Sequence, residues 1–228
     1  MTTSGAGTPP AGFWCARHPA PDGGLTVVGV AGTAFPDGTV VELPGPAARP
    51  AGWQFEAHAP SSGRPPSRVV VSADTAAGAP HLWAVLMQAA DGSGTDLVAF
   101  STLARPDGAV VTPGEVPALG VGWGEQSGAV RWSPSTGVIS QVYVAPAHRR
   151  RRVATKLLLM AGGVQALIGQ AWLHSDGRLT DLGDAWLSRQ PDWWRQRVPA
   201  RSEHLPPMTP PTEAAGVPVR NLEPDVGS

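Results

Sequence analysis

Residues 138–159 read VISQVYVAPAHRRRRVATKLLL, so four consecutive arginines, Arg149, Arg150, Arg151 and Arg152, stand between a β-branched run and an apolar helical pattern. A strand that passes through a short loop with Pro146 into a helix start leaves the first-turn N–H groups without intrahelical partners. The positive end of the helix dipole points at the same place, and the guanidinium groups add charge. The junction therefore favours an anion, and a pyrophosphate suits it well. Downstream, His174 and Ser175 follow a short predicted strand at 170–173. An imidazole there could relay a proton near neutral pH, with the Ser175 hydroxyl as a hydrogen-bond donor. Asp176 would orient that imidazole or begin a turn with Gly177. Glu125 is a remote candidate base. The plainer alternatives stay open at this point: His174 as a strand cap bonded to a loop carbonyl, and the arginine tetrad as a solvated helical turn or a patch for nucleic acid or an acidic partner.

The same residues resemble the GNAT superfamily of acyl-CoA N-acyltransferases. That family's central motif is a strand ending in V-x-P-x-x, followed at a helix start by R/Q-x-x-G-x-G/A. Val144, Pro146, Arg149 and Ala154 stand at those places without gaps, while Arg152 replaces the first glycine. The resemblance covers about residues 128–190. It implies that the backbone of Val142, Tyr143 and Val144 lies along the pantetheine and thioester of acetyl-CoA. It further implies that Arg149, Arg150, Arg151, Arg152, Val153, Ala154 and Thr155 surround the pyrophosphate, with His148 turned to the cofactor or to solvent. In the family's fold the strand before His174 splays from its neighbour where the thioester lies. The implied reaction is direct attack of a primary amine, small-molecule or peptide, on acetyl-CoA, without a metal. The carboxylate and helix tyrosine that family members often use are not evident, since Ser140 and Gln141 occupy the strand and the single tyrosine is Tyr143. The competing class is a non-catalytic protein that binds CoA or another polyphosphate, or an arginine-rich interaction module.

The elements that must position these residues follow from local pattern. Residues 25–43 read as a hairpin about the Pro-Asp-Gly of AFPDG, and 52–58 and 67–72 as two more strands. Residues 81–90 and 96–103 flank DGSG and suggest a second hairpin; 128–132 and 137–144 flank SPSTG and suggest a third. From 151 to 168 apolar residues recur at three and four, the mark of an amphipathic helix, weakened by Gly162 and Gly163 at about 1 kcal/mol each. Thr180 or Asp181 would cap a further helix running to about Gln190, before Pro191. The expected fold is α/β (α+β), a mixed, mostly antiparallel sheet with helices in the C-terminal half. The expected organisation is a flexible lead-in over 1–23, a small β-rich module over 24–78, the GNAT-like domain over 79–198 and a disordered Pro-rich tail over 199–228.

Composition narrows the function classes. Glycine (28) and proline (25) make up nearly a quarter of the 228 residues, about double the ordinary share, which fits long loops and tails. Seventeen basic against eighteen acidic residues leave a net charge of −1, so a broadly basic nucleic-acid binder is disfavoured. No apolar run approaches the ~18–20 residues of a membrane span, and the N-terminus lacks a secretory pattern; the chain reads as cytoplasmic. A homodimer stays open. One cysteine, Cys15, excludes an internal disulfide, and its spacing from His18 is weak support for a metal. Of nine tryptophans, Trp83, Trp123, Trp132, Trp172 and Trp186 are expected to fill a core, and Trp193 and Trp194 to pack the C-terminal edge.

Overall fold

The computed structural model describes residues 12–61, 64–89, 92, 94–169, 171–199 and 201–205. Strand β1 (Gly12–Pro19) turns through Asp22, whose carboxylate accepts the Gly24 N–H, into β2 (Leu25–Gly32). These pair antiparallel along their whole length, so residues 12–23 are not a flexible lead-in. The reason is burial: Phe13, Trp14, Cys15 and Ala16 all lie inside, and β1 is an interior strand. Strand β3 (Val40–Glu42) pairs parallel with β1 rather than antiparallel with β2, so the expected hairpin over 25–43 is corrected as well. The Pro-Asp-Gly turn does form, with Thr39 N–H bonded to the Pro36 carbonyl. Its Asp37 accepts the Phe13 N–H, and β1 lies between the two strands it joins. Strands β4 (Trp53–Ala59) and β5 (Arg68–Val71) complete a first sheet of order β3-β1-β2-β4-β5.

The second sheet begins with the expected hairpin, β6 (Trp83–Gln88) against β7 (Thr95–Phe100). The Pro/Gly-rich insertion supplies β8 (Val110–Val111), parallel to β6, and a 3-10 segment, Pro113–Leu119. Strand β9 (Gln126–Trp132) pairs with β7 on one side and with β10 (Val138–Val144) on the other. Across β7 and β9, Asp96 and Arg131 stand directly opposite and join through two hydrogen bonds of 2.7 and 2.9 Å.

Helix α1 (Val153–Leu167) connects the sheets. The three- and four-residue recurrence predicted one apolar face, but the helix packs against β2, β4 and β5 on one side and β7, β9 and β10 on the other. Twelve of its fifteen residues are buried, as expected of a helix that is apolar nearly all round. One core holds Phe13, Val27, Phe55 and Val69 of the first sheet, Leu97, Val130 and Trp132 of the second, and Leu157 and Met160 between them. The two sheets on either side of the boundary expected near residue 78 thus share this core, while each keeps a smaller buried cluster of its own.

Gly163 permits the close approach. A Cβ there would stand 2.6 Å from Val69 Cγ1 and 3.1 Å from Ala57 Cβ, whereas at Gly162 the nearest atom, on Phe55, is 3.7 Å away. Neighbouring glycines therefore respond oppositely. Gly162→Ala should raise stability by about 0.5–1 kcal/mol through helix propensity. Gly163→Ala should lower it by about 1–2 kcal/mol, because overpacking outweighs the same gain. Urea denaturation of the two variants checks the sign of each.

Beyond α1, the strand expected at 170–173 lies later, as β11 (His174–Ser175), and only two residues pair. Strand β12 (Arg178–Leu179) leads to α2 (Asp181–Leu187), capped by Thr180, whose hydroxyl accepts the Gly183 N–H. The helix expected to reach Gln190 stops at Leu187, and α3 (Asp192–Arg195) follows Pro191. Within the segment expected to be a disordered tail, β13 (Glu203–His204) pairs parallel with β12, tied by Arg178 and Glu203 at 2.8 Å. Residues 206–228, and 1–11 of the lead-in, lie outside the described residues. The result is a mixed α+β fold with mostly antiparallel sheets and its helices in the C-terminal half.

Candidate functional site

β10 is the spine of the site. It pairs with β9 along its length, with a register shift between Ile139 and Gln141. On its other edge β11 pairs only with Val138 and Ile139, and the chain then turns away at Asp176 and Gly177. From Ser140 to Val144 that edge has no strand partner among the described residues, and the backbone groups that alternate onto it, apart from the Val144 carbonyl, are open to a ligand. Val142 is exposed, while Tyr143 and Val144 are half-buried.

The strand runs into the arginine loop. Ala145 N–H bonds the Ser127 carbonyl at 3.0 Å, a 3-10 turn covers Pro146–His148, and Arg149 folds back to donate Nε–H to the Val144 carbonyl at 3.1 Å. Arg150 and Arg152 both take left-handed backbone conformations, with φ of 59° and 58°. The first intrahelical bond recorded at this end runs from Lys156 N–H to the Arg152 carbonyl, so the amides of 153–155 belong to the unpaired first turn. Val153 and Thr155 turn their side chains inward, and Thr155 Oγ1 accepts the Trp186 indole N–H at 3.0 Å. Arg150, Arg151 and Arg152 are exposed around these amides.

Arg152 holds the conformation that a glycine adopts freely, which costs a side-chain-bearing residue about 1–2 kcal/mol. Arg152→Gly should accordingly stabilise the fold by about 0.5–1 kcal/mol after the greater freedom of the unfolded glycine is deducted. Thermal melting of the variant measures it.

His174 lies at the far end of the same strand edge, its N–H bonded to the Gly137 carbonyl at 2.9 Å. Its Nδ1 is 3.1 Å from the Trp172 carbonyl. A carbonyl only accepts, so that contact places the neutral ring's proton on Nδ1 and leaves Nε2 as the basic nitrogen. Ser175 Oγ accepts the Gly177 N–H at 3.1 Å and keeps its own O–H to donate. Asp176 accepts the Arg178 N–H and makes the turn instead of orienting the imidazole. Glu125 caps its own loop by accepting the Gly122 N–H at 2.8 Å. His148 Nδ1 is buried without a partner among the described residues. The structure thus strings His174, Val142 to Val144 and the arginine loop along one strand, with no catalytic carboxylate brought to it by Asp176 or Glu125.

Two further sequence-level candidates resolve. Cys15 and His18 sit three apart on a strand, where side chains alternate faces, and His18 Nδ1 lies by the Pro19 carbonyl. Burial pushes the Cys15 thiol up to about 12, against a smaller opposing pull from Arg197. Among the described residues no group of three or more His, Cys, Asp or Glu could hold a metal ion. Nor is any helix among them long and apolar enough to cross a membrane.

A cavity of about 500 Å³ opens beside the N-terminal half of α1, between Thr155 and Leu159, the first sheet at Gln54, and the segment carrying Arg189, Trp193 and Trp194. It was not foreseen, because its walls come from four separated stretches of chain. The local signal was three tryptophans, 186, 193 and 194, within nine positions. Trp83 and Trp132 fill the core as expected, Trp172 and Trp186 are half-buried, and Trp123 is 46% exposed, a correction to its core assignment.

No protein-family model matches the chain, and comparison with curated proteins and with solved structures finds no significant similarity.

Proposed function

We propose that this protein is a GNAT-like acyltransferase that moves an acetyl group from acetyl-CoA to a primary amine by direct attack. One observation carries the reading: the edge of β10 freed by β11 after Ile139 leads straight into the arginine loop at the start of α1. The backbone groups of 140–144 that alternate onto the open edge, the Val144 carbonyl excepted, suit the amide groups of a pantetheine arm, and the first-turn amides of α1 with Arg150, Arg151 and Arg152 suit a pyrophosphate. Five residue steps of strand lead from Ile139 to Val144, about 16 Å, which matches the reach of an extended arm.

At the His174 end, the amine nitrogen attacks the thioester carbonyl carbon. The C–S bond breaks as the C–N bond forms, and the CoA sulfur leaves as thiolate. His174 Nε2 takes the amine proton, and the Ser175 hydroxyl donates to the oxygen on which charge develops.

A second reading, a non-catalytic binder of CoA or another polyphosphate, or an arginine-rich interaction module, draws on the exposure of Arg150, Arg151 and Arg152. Calorimetric titration with acetyl-CoA, ATP and a short DNA duplex at physiological salt separates the two. Saturable one-site binding of acetyl-CoA alone, weakened in Arg150→Ala/Arg151→Ala, is the expected result. Equal binding of all three ligands with a steep salt dependence, or of none, overturns the proposal. With an amine acceptor in hand, His174→Ala should lower the rate of thiol release by about 100-fold.

A further inference from the structure

We infer that the cavity beside α1 is a binding site for a small flat aromatic acid, one or two fused rings bearing a single carboxylate. Its volume, about 500 Å³, lies in the range of small-molecule sites, which bury most of a ligand against apolar walls. The floor is Leu159 and Trp193, both buried. The wall is a corner of indoles: Trp194 stands edge-on to Trp186, 5.7 Å between centroids at 87°, and to Trp193, 5.3 Å at 77°. The Trp186 ring is pinned by its N–H to Thr155, so the corner is formed before any ligand arrives. Faces and edges of indoles at these angles select a flat ring, which gains stacking and edge contacts that an aliphatic chain lacks.

The rim sets the charge. Arg152 and Arg189 both line the cavity, and neither has an ion-pair partner among the described residues. The carboxylates carried by α2 and α3 are engaged elsewhere: Asp181 and Asp184 by Arg201, and Asp192 by Arg195. The lining holds one acid, Asp74, so two guanidinium groups face one carboxylate and the mouth carries net positive charge. Three of the neutral polar side chains already donate elsewhere. Thr75 donates to Gln54 Oε1, Gln54 donates to the Gly52 carbonyl, and Gln190 donates to the Trp186 carbonyl. An apolar floor beneath two uncommitted guanidinium groups matches a ring with a carboxylate at one end, for which arginine offers bidentate hydrogen bonds. The site needs no thioester and does not rest on the acyl-transfer proposal. Arg152 is shared with the phosphate loop, so the test turns on Arg189, which lies outside it.

The full chain would be titrated by calorimetry with indole-3-acetate, with tryptamine as the cationic counterpart and acetate as the ring-free one. Indole-3-acetate should bind at one site, at least about tenfold tighter than either control. Arg189→Ala should weaken it about tenfold, and Arg189→Glu should reverse the preference toward tryptamine, with unchanged circular dichroism in both exposed-surface variants. Equal affinity for acid and amine, binding of acetate alone as tight as that of the indole acid, unchanged affinity in Arg189→Glu, or no binding of indole-3-acetate would each overturn the inference.

Discussion

Gln165→Leu should destabilise the protein by about 3 kcal/mol, although it replaces a polar side chain with an apolar one of similar size at a position only 1% exposed. Gln165 is the fully used hydrogen-bonding group of the core. Its Oε1 accepts the Trp132 indole N–H at 2.8 Å, and its Nε2 donates to the Pro134 and Ala171 carbonyls at 2.6 and 2.7 Å. These bonds tie α1 to the β9–β10 turn and to the segment before β11, so the same amide holds His174 in place. Leucine fills the space but strands the Trp132 N–H in an interior where it meets no water, and an unsatisfied buried donor costs about 1–3 kcal/mol on top of the lost bonds. A double-mutant cycle isolates that cost. Trp132→Phe should be distinctly less harmful in the Gln165→Leu background than alone, because the orphaned donor is then gone. Additive urea midpoints across the cycle would contradict the assignment.

Asp107→Ala is expected to cost about 2–3 kcal/mol, more than removal of its partner. Lys156 is the single lysine of the chain and is buried in α1, where its ammonium meets Asp107 Oδ1 at 2.7 Å and the Pro80 carbonyl at 3.0 Å. The same Asp107 oxygen accepts the Leu82 N–H at 2.8 Å, which fixes the entry to β6. Losing the carboxylate leaves a buried cation with one neutral acceptor. Losing the cation, as in Lys156→Met, leaves a carboxylate that is 41% exposed and can be hydrated. The asymmetry is the test: Lys156→Met should cost about 1 kcal/mol or less, and equal losses in the two variants would show that the pair acts as an exposed one.

Local pairings were legible in the sequence, and remote ones were not. β6 with β7 and β9 with β10 each join neighbours across turns rich in Gly and Ser, and each pairing appears where the pattern put it, while β4 and β5 appear as the two strands expected and pair with each other. The insertion of β1 between β2 and β3 left no local trace, because the Pro-Asp-Gly turn looks the same whether its strands pair with each other or with a third. Glycine and proline near the start of the chain suggested a lead-in, yet FWCA at 13–16 is the buried stretch that makes β1 a core strand. For α1 the three- and four-residue recurrence was real, but Thr155, Leu159 and Gly163 are buried on the side that a single-faced helix would leave to water. β11 was displaced because two residues carry no periodicity. At the candidate site, the strand-to-helix junction was readable from residue order alone. The left-handed turn at Arg152 and the indole-walled cavity depend on where distant segments meet.

A helix enclosed by two sheets also determines what can be separated. Among the described residues neither sheet has another apolar layer to cover the face that α1 occupies, so removing residues 12–71 would leave Leu158, Leu159 and Gly163 facing water, and removing α1 would strip both sheets together. The chain is therefore not a cassette of parts that can be exchanged or expressed singly. Its two sheets, far apart in sequence, must acquire and lose their order in one cooperative step, with α1 as the last place that solvent reaches.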